Sequence, residues 1–137
     1  MMNFEYPVQA GDFTNAGSAS SSVKKTLKQL NVDPSIIKRV VVALYEAEVN
    51  VVAHSHGGTI YVVIDNDKIA IKLEDKGPGI PDIDLAMTVG YSTASPQVRE
   101  MGFGAGMGLP NIKHNVDYLD VKSEVNVGTI VEMIVNF

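Results

Sequence analysis

The chain has 137 residues, 45% of them hydrophobic and 20% charged, with a formal net charge of −5. That profile suits one soluble globular domain able to bury about two thirds of its unfolded surface. Sixteen acidic residues against 11 scattered basic ones and a pI near 5.0 disfavour nucleic acid as a partner, because phosphate binding needs clustered Lys and Arg.

The longest apolar run, Val40 to Tyr45, has six residues, where a membrane span needs about 20. The opening MMNFEYPVQAGDF lacks the basic-then-apolar pattern of a secretory leader. Zero cysteines exclude disulfides and thiolate metal sites and fit a cytoplasmic protein.

Weak alternation over residues 3–8 predicts a first strand. Asp12 or Thr14 then caps a helix running to about Leu30, with Val23, Leu27 and Leu30 on one stripe. Asp33 is a good N-cap and Pro34 a good first helical residue, so a second helix is predicted from Pro34 to about Ser55. Its middle is apolar on every side, the mark of a deeply buried central helix. His56-Gly57-Gly58 ends it, and GTIYVVID and KIAIKLED follow as strands joined through Asn66-Asp67. Pro81 to about Thr88 reads as a short helix, and residues 90–106, rich in Gly, Ser and Thr, as a mobile lid. A helix from about Met107 to Val116 and strands Tyr118–Glu124 and Gly128–Phe137 close the chain. The expected fold is α/β, a two-layer sandwich with helices on one face of a mixed, mainly antiparallel sheet, in one domain over residues 1–137.

Three stretches carry chemistry. Glu46 and Asn50 lie at i and i+4 on the central helix, in a narrow polar line with Arg39 and Ala43. A buried carboxylate needs a partner or a cation, so the pair implies a ligand, a metal or a water-lined cleft; a solvent-facing stripe is the plainer alternative. Asp75 follows Ile69, Ile71 and Leu73 and shares their inward parity. Gly77 and Gly79 behind it remove side chains that would stop a planar ligand, and Pro78 stiffens the turn. A carboxylate accepts and cannot donate, so at a pocket floor it selects an amino group such as that of adenine; otherwise it is a strand-end cap. Finally, GFGAGMGLPNIK alternates Gly102, Gly104, Gly106 and Gly108 before a helix, offering backbone N–H groups and a positive dipole end to phosphate. No Gly-Lys pair occurs, which removes a P-loop, and the spacing is not G-x-G-x-x-G. His54 and His56 find no third ligand and read as helix C-terminal residues, and Met101, Met107 and Met133 as core or lid filling.

E-x-x-x-N, D-x-G-x-G and an alternating-glycine lid entering a helix, in that order, resemble the GHKL, or histidine-kinase-like, ATPase superfamily and its Bergerat ATP-binding fold. Within it, YEAEVNVVAHSHGG, DKGPGIPDIDLAM, GMGLPNIK and SEVNVGTIVEM resemble the small anti-sigma factor and switch serine kinases of bacterial partner-switching systems. The resemblance implies ATP and Mg2+ as cofactors, with Glu46 as general base, Asn50 on Mg2+, Asp75 on the adenine amine helped by Thr129 through water, and backbone amides of Gly104 to Gly108 around the phosphates. It further implies a Ser or Thr acceptor on a STAS-type antagonist protein, a sigma factor as partner in the anti-sigma branch, and a homodimer by likeness to that branch. Residues 91–101, YSTASPQVREM, are longer than the switch kinases' compact lid, and Arg99 within them is a solvated lid charge or else a contact to a phosphate or a partner carboxylate. Two readings stay open: an ATP-dependent serine/threonine kinase, or a nucleotide-gated module that sequesters a partner without phosphotransfer.

Overall fold

The computed structural model describes residues 1–80, 83, 87 and 108–137. Five strands form one sheet: β1 (Met2–Val8), β2 (Gly58–Ile64), β3 (Lys68–Lys76), β4 (Tyr118–Glu124) and β5 (Gly128–Asn136), ordered β1-β2-β3-β5-β4. The sheet expected as mixed, mainly antiparallel is antiparallel at all four pairings. Helices α1 (Ser18–Gln29), α2 (Pro34–His54) and α3 (Gly108–Asn115) cover one face.

Alternation in the strands sets which face is covered. Val62, Ile71 and Met133 stand in one cross-strand row and Ile64, Ile69 and Val135 in the next, and all six are buried. Burying each such side chain stabilises the fold by about 1.5–3 kcal/mol. Asp65 sets the β2–β3 register at the turn, where its Oδ1 accepts the N–H groups of Asp67 at 2.8 Å and Lys68 at 2.9 Å.

Helix α2 begins as its sequence dictates. Asp33 Oδ1 accepts from the Ser35 N–H at 2.8 Å and the Ser35 hydroxyl at 2.6 Å, and Pro34 occupies the first turn. These hydrogen bonds hold the Asp33 carboxyl below the ordinary carboxylate range. Ile37, Val40, Leu44, Val51 and Val52 of α2 are buried, so the helix lies against the core as expected.

Two details of α1 differ from expectation. Neither Asp12 nor Thr14 caps it: a 3-10 turn spans Phe13–Asn15, Asp12 binds the Asn15 amide at 2.9 Å, and α1 starts at Ser18 after Gly17. Leu30 is 44% exposed, because the chain reverses at Asn31 (φ 58°) and Val32 packs against the core instead.

Of the helix expected over Pro81 to Thr88, Ile83 and Met87 are described. The Met87 N–H donates to Ile83 O at 3.0 Å, the i to i−4 bond of a helix. The lid expected over residues 90–106, with Arg99, Met101, Gly104 and Gly106, lies outside the described residues, as does Met107.

Candidate active site

Helices α2 and α3 meet along a polar seam that contacts at three levels. At the first, Gly108 opens α3 directly over Asn50; a Cβ there would stand 2.9 Å from Asn50 Nδ2 and 3.0 Å from Oδ1. One turn along, Asn111 Nδ2 donates to Glu46 Oε1 at 3.3 Å. At the far end, Arg39 Nε donates to Asn115 O at 3.1 Å and Arg39 Nη2 pairs with Asp117 Oδ1 at 3.0 Å. The positions descend on α2 (50, 46, 39) as they rise on α3 (108, 111, 115), so the helices run antiparallel with their polar stripes facing. Glu46 and Asn50 are half-buried, and among the described residues the Asn50 carboxamide meets no hydrogen-bond partner.

The second cluster gathers at the end of β3. Asp75 stands opposite Thr129 in the β3–β5 ladder, and its Oδ1 accepts the Thr129 N–H at 3.1 Å. Among the described residues Oδ2 meets no donor, which leaves it able to accept from a ligand. Burial pushes the Asp75 carboxyl above the ordinary carboxylate range, against the Thr129 N–H and the nearby His56, which pull it down. Thr129 is itself 8% exposed, and its hydroxyl shares a 2.8 Å hydrogen bond with Ser123 Oγ. Ser123 Oγ also accepts the Ile80 N–H at 2.7 Å, tying the glycine turn to β4.

Gly77 and Gly79 have reasons internal to the protein, which the sequence reading assigned to an open pocket floor. A Cβ on Gly77 would come within 3.0 Å of Ser55 Cα. Gly79 has φ +75°, and its Cβ would stand 2.5 Å from Glu124 O. The turn is stitched down by Gly77 N–H to Val127 O at 3.2 Å and Asn126 N–H to Pro78 O at 2.9 Å. The two clusters are also joined: just past α2, the His56 N–H donates to Lys76 O at 2.6 Å, which fixes the end of the helix bearing Asn50 to the end of the strand bearing Asp75.

Residues 35–137 match the family model described as histidine kinase-, DNA gyrase B-, and HSP90-like ATPase. The chain belongs to this ATPase family. Similar curated members are a serine/threonine-protein kinase RsbT of Bacillus subtilis (strain 168), 32% identical over 127 residues, 90% of this chain and 87% of that one, and an anti-sigma F factor of Thermoanaerobacter sp. (strain X514), 33% identical over 109 residues, 74% and 73% of the two chains. Among solved structures, the RsbU and RsbW domains of Rv1364c from Mycobacterium tuberculosis superpose with a TM-score of 0.66 at 14% identity, covering 98% of this chain and 32% of that one. The mycobacterial sensor histidine kinase MprB gives 0.56 at 19% identity, over 97% of each chain. These two likenesses concern the fold, the helix-covered sheet of the ATPase family.

Three residues of consequence were not singled out from the sequence. Glu48, two positions after Glu46, is 3% exposed and caps α1: Oε2 accepts the N–H groups of Gly17 at 3.0 Å and Ala19 at 3.3 Å, and Oε1 the N–H and hydroxyl of Ser20 at 3.2 and 2.9 Å. Its signal was its place on the apolar face of α2, with Leu44, Val51 and Val52 at i−4, i+3 and i+4. Asn111 lies one turn after Gly108 on the same helical face, and Ser123 faces Thr129 across the β4–β5 ladder. His54, whose ring burial pushes below its ordinary pKa, and His56 join no group of three His, Cys, Asp or Glu able to hold a metal among the described residues.

Proposed function

We propose that this chain is an ATP-dependent serine/threonine protein kinase of the partner-switching type. The observation that carries the reading is the polar seam: a half-buried Glu46 with a donor on one oxygen, one turn from an Asn50 carboxamide over which Gly108 opens α3. Family membership and the similarity to a relative named a serine/threonine-protein kinase support it.

In this reading Asp75 Oδ2 accepts the exocyclic amine of adenine while the Thr129 N–H holds Oδ1 in place. Guanine, with a carbonyl oxygen at that position, is repelled. The Thr129 hydroxyl assists through water, and Gly77 and Gly79 shape the turn beside the base. The backbone amides of Gly104, Gly106 and Gly108 receive the phosphates. Asn50 would hold Mg2+ through its carboxamide oxygen, a neutral and hard ligand, and the ion would supply neutralisation of the charge on the transferring phosphoryl group. Glu46 takes the proton of the acceptor hydroxyl as its oxygen attacks the γ-phosphorus and the bond to the bridging oxygen breaks.

The acceptor is a Ser or Thr of a STAS-type antagonist protein. The similarity to relatives named anti-sigma F factor favours a sigma factor as a further partner, with a homodimer and a cytoplasmic setting as companions of that branch. The same names support the second reading, a nucleotide-gated module that sequesters its partner. Capture of partners with and without Mg-ATP, followed by mass spectrometry, separates the two. The kinase reading expects a phosphorylated Ser or Thr on the captured protein; ATP-dependent capture without any phosphorylated product would favour sequestration.

A further inference from the structure

The contact between Asn111 and Glu46 has a direction that matters for the chemistry. Asn111 Nδ2 can only donate, and it donates to Oε1. That fixes the carboxylate plane about its last torsion, which is otherwise broad and soft. With one oxygen held, the other is the one presented to an incoming hydroxyl.

The donor is itself held in place. Asn111 lies on α3 between two fixed points, the close approach of Gly108 to Asn50 and the bonds from Arg39 to Asn115 O and Asp117. Asn115 Nδ2 returns a hydrogen bond to Asn111 O at 2.8 Å, closing the last turn of the helix. Asp117 in turn accepts the Asn136 N–H of β5 at 2.7 Å, so the far end of α3 is braced against the sheet. Asn111 therefore sits on a clamped helix and has one polar target on α2.

We propose that Asn111 is a positioning residue for Glu46, setting the rotamer in which Glu46 serves as general base; this rests on the base role assigned to Glu46 above. Asn111→Asp tests it, because the substitution keeps the shape and replaces the donor with a carboxylate facing Glu46. A role in packing alone makes this the mildest change and Asn111→Leu the harsher one. Positioning by donation predicts the reverse order, with Asn111→Gln, which keeps an N–H, recovering most of the wild-type rate.

The measurement is ADP formed from Mg-ATP by the 137-residue chain, water being the acceptor, alongside Mg-ATP affinity and thermal unfolding. For Asn111→Asp the expected result is a kcat lowered about tenfold or more. KM for ATP stays within about twofold, the pattern of a contact that matters mainly in the transition state. A second arm is independent of turnover: the side-chain NH2 resonances of Asn111 shift on Glu46→Gln. Asn111→Asp turning over like wild type while Glu46→Gln does not, or Asn111 resonances unmoved by Glu46→Gln, overturns the positioning role alone. Normal turnover by Glu46→Gln overturns the underlying assignment of the base.

Discussion

Gly108 lies so close to Asn50 that any β-carbon on it would stand 2.9 Å from the carboxamide nitrogen. A backbone Cβ cannot yield, whereas the end of the Asn50 side chain can, so Gly108→Ala is expected to turn the carboxamide away from its present position. Alanine favours helix over glycine by about 1 kcal/mol, which offsets the local crowding and keeps the melting temperature near wild type. Mg-ATP affinity, read by calorimetry, is expected to weaken by about 1–3 kcal/mol, the usual cost of a mislaid buried polar contact. Unchanged affinity would detach Asn50 from the nucleotide.

Asp75 sets function against stability. Its carboxyl is pushed up by burial, so the folded state holds the proton to higher pH than the unfolded chain does. The stability it contributes is therefore present below the unfolded pKa and lost as pH rises through the raised folded value. Asp75→Asn, which can still accept the Thr129 N–H, is expected to melt above wild type near pH 7, the gap closing as the pH falls into the carboxylate range. The same variant should bind Mg-ATP more weakly by about 1–3 kcal/mol, because an amide that accepts on one side and donates on the other no longer matches the adenine amine. Melting curves across pH and nucleotide titration check both halves.

Gly79 answers to the fold before it answers to any ligand. At φ +75°, with Glu124 O 2.5 Å from where its Cβ would be, Gly79→Ala combines a left-handed backbone with a main-chain clash. A loss of about 2 kcal/mol or more is expected from chemical denaturation without nucleotide. Wild-type stability would show that the β4–β5 turn yields readily.

Glu48 anchors the start of α1 to the middle of α2. Glu48→Gln places an NH2 group against N–H donors, leaving buried donors of Gly17, Ala19 or Ser20 without an acceptor. The expected loss is about 2–3 kcal/mol in urea unfolding, with Mg-ATP affinity little changed, since the bonds of Glu48 run to α1 and those of Glu46 to α3.

Much of this architecture follows from periodicity that any reader of the chain can count. The alternation through Ile69, Ile71 and Leu73 and the cap at Asp33-Pro34 gave β3 and α2 close to their observed bounds. The spacing of Glu46 and Asn50 placed them on one face, and that face is the one α3 meets. What local pattern missed was made by distant contacts. The first turn of α1 is capped by an acid 28 to 31 residues away, so no nearby Ser, Thr or Asp marks its start. Leu30 fits the helical stripe, but Asn31 in the left-handed region ends the helix and turns Leu30 outward. Gly77 and Gly79 read from the sequence as clearing a pocket floor for a planar ligand, whereas the crowding in the structure comes from Ser55 and Glu124, whose proximity only the assembled fold creates.

If Glu46 is the base of a phosphotransfer reaction, Glu46→Gln separates binding from chemistry when measured for Mg-ATP affinity and for phosphate transfer to the captured acceptor protein. The amide keeps the shape and can still accept from Asn111, so ATP binding should stay within about twofold of wild type while transfer falls by about 10² to 10⁴. Transfer at the wild-type rate would remove Glu46 from the role of base.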